Sequence, residues 1–326
     1  MLKDRYSRTI DYMRISITDR CNLRCIYCMP TEHIPLEFKK ILTYEEIVRV
    51  VRVAAELGLR KIRLTGGEPL ARKNVQHLIR EIRKIKGIED LSMTTNGVLL
   101  EKYAREIKDA GLDRVNVSLD SLRPDRYREI TQGGDLGKIL CGIEKAYQVG
   151  LQPLKINMVV VREINDDEIE DFAAITLNRP LQIRFIEFMP GRKNSWSAER
   201  CVSIKEIRER IIKRFGTLQP LKTRSNGPAR YYRIPEAEGV IGFISPVTHH
   251  FCSDCNRLRV TADGRIRPCL FSRTEIDLGT AIRAGATDDE LKRLLTLAVE
   301  VKPEGHRIGK HGDGSYISRG MSQIGG

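Results

Sequence analysis

Residues 18–30 read Thr18-Asp19-Arg20-Cys21-Asn22-Leu23-Arg24-Cys25-Ile26-Tyr27-Cys28-Met29-Pro30, and the spacing Cys21-x3-Cys25-x2-Cys28 lets one loop wrap three thiolates around a small inorganic core. Soft thiolates select zinc, copper(I) or iron-sulfur centres. A closed structural zinc site takes four protein ligands, and here His33 is the candidate for the fourth. Three thiolates on a four-iron cluster would instead leave one iron open to a small molecule. Spacing alone leaves zinc, a cluster and an incidental loop all open.

Outward from this loop, an aliphatic stretch at residues 12–18 leads into it, and similar stretches recur at 61–65, 90–94, 114–119, 153–161 and 181–188. Helical patterns lie between them, as parallel strand and helix units read in sequence. In 43–57, Ile47, Val50, Val51, Ala54 and Leu57 repeat at helical spacing behind a Thr43/Glu46 capping box. Six such units predict an α/β fold, a partial TIM-type (βα)6 barrel. A barrel is favoured over a doubly wound sheet because unusual polar groups follow the C-terminal ends of the strands: the cysteine loop, Gly66-Gly67-Glu68, Thr95-Asn96-Gly97 and Asp120-Ser121. After Met189 the rhythm changes to a turn-rich link, a helix at 204–215, a break at 225–228, short strands and a helix at 288–299. The division expected is a barrel core, 1–195, and a C-terminal α+β extension, 196–326, which carries a second cysteine group.

The bulk numbers suit such a chain: 326 residues, 41% hydrophobic and 30% charged, enough to bury a sizeable core. No apolar stretch near the start resembles a secretory signal, and the richest apolar runs, 156–161 and 181–189, are too short to cross a bilayer. A cytoplasmic protein without membrane contact is expected, so the eight cysteines read as metal ligands or buried thiols rather than disulfides. The net charge of +13 favours anionic partners or is a solvated basic surface. Dispersed basic residues and only 6% aromatics argue against a nucleic-acid partner.

The string 18–30, with an aromatic residue before its third cysteine, resembles the cluster loop of radical S-adenosylmethionine (SAM) enzymes. The resemblance implies a [4Fe-4S] cluster on Cys21, Cys25 and Cys28 whose open iron chelates the amino and carboxylate groups of SAM, with Tyr27 beside the adenine. Gly66-Gly67-Glu68-Pro69 is similar to the second motif of that superfamily, whose backbone and acid hold the methionine end. Glycines admit close main-chain approach to a ligand, and Glu68 can accept from an ammonium.

Cys252-x2-Cys255-x13-Cys269 is a second trio, which His249 or His250 could complete as a zinc site. Over residues 14–326 the chain resembles the GTP 3′,8-cyclase family of molybdenum cofactor biosynthesis. The match includes Phe251-Cys252-Ser253-Asp254-Cys255-Asn256-Arg257-Leu258-Arg259, Thr261-Ala262-Asp263-Gly264, Cys269-Leu270 and the tail Met321-Ser322-Gln323-Ile324-Gly325-Gly326. It implies a second [4Fe-4S] cluster on Cys252, Cys255 and Cys269 whose open iron meets the guanine of GTP. It also implies that Gly325 and Gly326 reach the active site, where a frayed end is the plain alternative. SAM contacts would fall on Tyr27, Gly67, Ser118 and Met189; GTP contacts on Arg14, Arg63, Thr94, Lys155, Arg257, Leu258 and Arg259, with Arg184 a further phosphate candidate. Taken singly, each could be a salt bridge, a local cap or core filling. Together the basic residues suit a triphosphate, since arginine forks bind phosphate oxygens by charge-assisted bonds. His306, His311, Cys141 and Cys201 have no part in this scheme, and the two cysteines read as buried inert thiols.

The function implied is a SAM-dependent radical cyclisation. A 5′-deoxyadenosyl radical would take the ribose 3′ hydrogen of GTP, and C3′ would close onto guanine C8, with no side chain assigned to acid-base chemistry. An electron donor of the flavodoxin or ferredoxin kind would be needed, and the chain would act as a monomer or homodimer. The rivals are a peptide-modifying radical SAM enzyme with an auxiliary cluster and a zinc-stabilised basic nucleic-acid-binding protein.

Overall fold

A computed structural model describes residues 1–28, 34–190, 196–222, 227–306 and 319–325. Met29, Pro30, His33, the link at 191–195, the break at 225–226, His311 and Gly326 lie outside the described residues.

The six expected strands form where the aliphatic runs predict them: β1 (Tyr12–Ser16), β2 (Lys61–Thr65), β3 (Asp90–Thr95), β4 (Arg114–Ser118), β5 (Lys155–Val160) and β6 (Gln182–Glu187). They are parallel and pair in sequence order. Between them run helices α1 (Tyr44–Glu56), α2 (Val75–Arg83), α3 (Leu100–Asp109), α4 (Pro124–Thr131), α5 (Leu136–Gln148) and α6 (Ile169–Asn178). Helix α1 begins with the expected capping box: the Thr43 hydroxyl accepts from the Glu46 backbone N–H at 3.2 Å and the Thr43 N–H donates to the Glu46 carboxylate at 2.7 Å. Such a cap contributes about 1 kcal/mol by satisfying orphan N–H groups.

The C-terminal region contributes α7 (Ile204–Phe215), strands β7 (Gln219–Leu221), β8 (Arg230–Arg233), β9 (Val240–Ile244), β10 (Arg257–Val260), β11 (Arg265–Arg267) and β12 (Ile276–Asp277), then α8 (Leu278–Arg283), α9 (Asp288–Glu300) and α10 (Met321–Ile324). Its strands continue both edges of the core sheet. β9 adds parallel to β6, and β10 adds parallel to β1. The full order is β12-β11-β10-β1-β2-β3-β4-β5-β6-β9-β8-β7, so eight parallel strands lie between two antiparallel margins. The fold is thus the partial βα barrel, widened by one parallel strand at each edge.

Two-residue alternation gives this sheet two chemically different faces. Met13, Ile15, Ile62, Leu64, Leu91, Met93, Val115, Val117, Ile156 and Met158 are buried in one hydrophobic core with the apolar stripes of the helices, such as Ile47, Val50 and Val51 of α1. The alternate residues, Tyr12, Arg14, Ser16, Arg63, Ser92, Thr94, Asn116, Asn157 and Arg184, carry polar groups on the inner face. Among the described residues no helix is long and apolar enough to cross a membrane.

Candidate active site

The first cysteine loop leaves β1 at its C-terminal end and is laid against the Gly66-Gly67-Glu68 turn leaving β2. Gly67 N–H donates to the Thr18 carbonyl at 2.8 Å, and Glu68 N–H to the Arg20 carbonyl at 2.8 Å. A Cβ on Gly67 would stand 2.3 Å from the Arg20 oxygen, so glycine is required here by the cysteine loop itself. Glu68 is fully buried and accepts from Leu70 N–H (2.9 Å), Thr95 Oγ1 (2.8 Å) and Asn96 N–H (2.7 Å). Burial pushes its carboxyl up to about 7 against those three bonds. The acid expected to meet an ammonium therefore ties the β2 and β3 turns together, and the Asn96 amide in turn donates toward Cys21 Sγ at 3.6 Å.

Burial raises the thiols of Cys21, Cys25 and Cys28; for Cys25 the next causes are Cys28, Asp120 and Cys21, and for Cys28 they are Cys21 and Asp120. Buried thiols beside a carboxylate are held as thiolates only by a positive centre such as a bound metal. Each trio, Cys21/Cys25/Cys28 and Cys252/Cys255/Cys269, supplies three thiols, one fewer than a closed zinc site takes from cysteine alone, and three thiolates suit a four-iron cluster with one open iron.

Tyr27 donates its hydroxyl to Asp120 in a short hydrogen bond, and its ring meets Phe188 edge-on at 6.4 Å. Asp120 also accepts from Val159 N–H at 2.8 Å; burial pushes its carboxyl up to about 6. Ile26, Tyr27, Ile130, Val161, Ile164, Asn165 and Phe188 line an apolar cleft beside this loop. Ser118, the last residue of β4, sits beside Asn157 in the middle of β5, and Met189 follows β6, so the four expected SAM residues lie at the C-terminal ends of strands or in the loops that leave them. The Tyr27–Asp120 bond joins residues far apart in the chain, and no spacing in the sequence signals it.

The expected GTP residues meet on the inner face. Arg14 pairs in register with Arg63 on one side and Arg259 on the other. Arg63 Nε donates to Ser92 Oγ at 3.1 Å, and Arg184 Nε to Asn157 Oδ1 at 2.8 Å. With its amide turned to suit these donors, Asn116 accepts from both Arg63 (2.5 Å) and Arg184 (3.0 Å). Burial, then Arg184, Arg114 and Arg63, pushes the Lys155 ammonium down to about 6. Burial, then Arg257, pushes Arg259 down to about 10. The face carries more positive charge than its own acids offset: Asp90 is engaged by Arg114 and Asp11 by Lys61. The Thr94 hydroxyl oxygen is buried there with no hydrogen-bond partner. An orphaned hydroxyl and crowded cations fit an anionic ligand. Leu258 is different: it is fully buried in the core on the opposite face of β10, so its side chain cannot share a ligand with Arg257 and Arg259.

The second trio lies at the other end of the strands. Cys255 lies two residues before β10, which runs parallel to β1, whereas Cys21 follows β1. The inner face between them spans about 15 Å, the length of a five-residue strand. Burial alone would raise the Cys255 thiol, yet Arg257 and Lys302 pull it down to about 6. His250, Cys252 and His306 bring donor atoms within 4.8 Å of one another. The two imidazoles stack at 4.2 Å with planes 25° apart, so their in-plane lone pairs run side by side rather than converging on one ion. Phe271 packs on His306 at 4.4 Å, completing an aromatic cover that the sequence reading did not anticipate. Cys141 is exposed rather than buried; Cys201 is half-buried, its thiol pushed up to about 12 by burial and Glu187. Trp196 Nε1 donates to the Phe188 carbonyl at 2.9 Å.

The tail is packed, not frayed. Ile324 is fully buried, Arg259 donates to the Gly325 carbonyl at 2.5 Å, and Gly325 lies against Thr65 and Ser16.

A parallel βα sheet with a three-cysteine loop at the end of its first strand defines the radical SAM superfamily, and residues 15–175 match the model of that superfamily. Residues 181–308 match the model described as Molybdenum Cofactor Synthesis C. Streptococcus suis SuiB bound to S-adenosylmethionine shares the fold with a TM-score of 0.63 at 15% identity, over 83% of this chain and 64% of that one. Methylornithine synthase shares it with a TM-score of 0.51 at 16% identity, over 64% of this chain and 63% of that one. Within the superfamily the chain belongs to the GTP 3′,8-cyclase family. It is 50% identical to the GTP 3′,8-cyclase of Thermodesulfovibrio yellowstonii over 327 residues, covering 100% of both chains. It is 49% identical to that of Alkaliphilus metalliredigens over 332 residues, again covering 100% of both.

Proposed function

We propose that the protein converts GTP to (8S)-3′,8-cyclo-7,8-dihydroguanosine 5′-triphosphate in molybdenum cofactor biosynthesis, using SAM and two [4Fe-4S] clusters. The observation that carries this reading is the polar inner face, where Arg14, Arg63, Lys155, Arg184, Arg257 and Arg259 gather between two cysteine trios set at opposite strand ends.

Cys21, Cys25 and Cys28 would hold the first cluster, with Tyr27, Gly67, Ser118 and Met189 around SAM. When bound, this cluster supplies the electron for reductive SAM cleavage, and with it a 5′-deoxyadenosyl radical able to take the ribose 3′ hydrogen. Cys252, Cys255 and Cys269 would hold the second cluster against the guanine. The inner-face cations fix the triphosphate, and Thr94 offers its unpartnered hydroxyl. Fixed at both ends, the ribose is held where C3′ can close onto C8, a gain from orientation rather than from acid-base chemistry. The buried tail and the core behind the sheet keep water from the radical. Residues 1–195 thus carry the first cluster, SAM and most of the triphosphate contacts, and 196–326 carry the second cluster, Arg257, Arg259 and the tail. A reduced flavodoxin- or ferredoxin-like carrier supplies the electron, in a cytoplasm whose reducing conditions suit eight free thiols.

The test is anaerobic incubation of reconstituted protein with GTP, SAM and dithionite, followed by mass analysis. Methionine, 5′-deoxyadenosine and the cyclic triphosphate are expected. Protein that holds zinc without iron, or leaves GTP unchanged while cleaving SAM, would overturn the reading.

A further inference from the structure

Two separate segments carry the second trio, the turn at Cys252–Cys255 and the stretch at Cys269, and two buried cations hold their main chains. Lys302, only 2% exposed, donates its ammonium to the Arg257 carbonyl at 2.9 Å and the Pro268 carbonyl at 2.7 Å. Those carbonyls lie two residues after Cys255 and one before Cys269. Arg8, 8% exposed, donates through Nη1 to the Cys252 carbonyl at 2.7 Å. It also binds the carbonyls of Pro303 (2.6 Å) and Glu304 (2.7 Å), the two residues that follow Lys302. Arg8 is itself fixed by buried Asp4, through Nε at 2.6 Å. Among the described residues no carboxylate lies within ion-pair distance of Lys302.

A buried ammonium that is bonded only to neutral carbonyls has no counter-charge in a low-dielectric place, which is costly unless an anion lies nearby. A [4Fe-4S] cluster on three thiolates is such an anion. We propose that Lys302, clamped by Arg8, is a positioning residue for the second cluster. It ties the backbone beside two of the three cysteines and sets an unscreened positive charge next to the cluster. The inference rests on the two-cluster reading of the function. A reduced cluster carries one more negative charge than an oxidised one, so a fixed neighbouring cation favours reduction and raises the potential.

The test compares wild type, Lys302→Met, Lys302→Arg and Arg8→Met after anaerobic reconstitution with iron and sulfide. Wild type should hold roughly eight irons per chain. Wild type with roughly four would sink the two-cluster reading itself. Lys302→Met should keep the first cluster, seen by its SAM-perturbed electron paramagnetic resonance signal. It should either fall to roughly four irons or retain a second cluster whose midpoint potential is lower than in wild type. Lys302→Arg, which preserves the charge, should recover the cluster and its potential. Full iron loading with an unchanged potential in Lys302→Met overturns the proposal. If Lys302→Met loses both clusters, Arg8→Met decides: selective loss of the second supports the proposal, and no loss overturns it.

Discussion

Arg259 donates a hydrogen bond of 2.5 Å to the carbonyl of Gly325, joining an inner-face strand to the end of the chain. Arg259 thus holds the tail from the same inner face on which we propose the triphosphate binds, and the tail comes to rest beside Thr65 and Ser16, at the end of β1 that leads into the first cysteine loop.

Gly325 has φ +67°, and a Cβ there would stand 2.0 Å from Thr65 Oγ1. Left-handed backbone costs a residue with a side chain about 1–2 kcal/mol even without a clash. Gly325→Ala is therefore expected to lower cyclisation at least ten-fold while iron content stays at the wild-type level. Product formation by mass spectrometry, with iron analysis of the same sample, checks this; an active Gly325→Ala protein would return the tail to a packing role.

Arg257→Ala and Arg259→Ala should each weaken GTP binding by roughly 10- to 150-fold, the equivalent of about 1.5–3 kcal/mol for a hydrogen bond to a charged group. Guanosine, lacking phosphates, should lose much less. Equilibrium binding of both ligands at fixed ionic strength distinguishes phosphate contacts from a general loss of the site. Equal losses for the two ligands would mean that these arginines support the fold or the base pocket.

Gly67→Ala should act on the metal first, and on SAM through it. The new methyl would meet the Arg20 carbonyl at 2.3 Å, and this carbonyl is part of the turn that sets Cys21. The expected result is loss of roughly four irons per chain with the second cluster retained. A protein that keeps all its iron and loses only SAM affinity would make Gly67 a SAM contact with no part in holding the cysteine loop.

Lys155 gives a pH signature. Its ammonium is held down to about 6 in the free protein by burial and by Arg184, Arg114 and Arg63. A bound triphosphate favours the charged form and raises that value, so GTP binding near neutral pH takes up a proton. Affinity should be highest below pH 6 and fall as pH rises toward the bound value. Calorimetry in two buffers of different ionisation enthalpy measures the uptake, which Lys155→Met should abolish.

Much of this protein was legible in its sequence because the signals were local. Cysteine spacing, the two-residue alternation of strands and the Thr43/Glu46 cap each involve neighbours in the chain, and β1 to β6 and α1 formed where those patterns placed them. The polar residues at strand ends marked the barrel's working end for the same reason. Tertiary structure decided what distant segments did to one another. Only the parallel pairing of β10 with β1 brings Arg259 beside Arg14, and only the alternation along β10 turns Leu258 away from the residues on either side of it. Glu68 was read as able to accept from an ammonium; that it also accepts backbone and hydroxyl donors at the end of the next strand was visible only in the fold. Arg8 and Lys302 gave no sequence signal at all, because their partners are main-chain carbonyls, which every residue possesses and which become distinctive only when folding buries them.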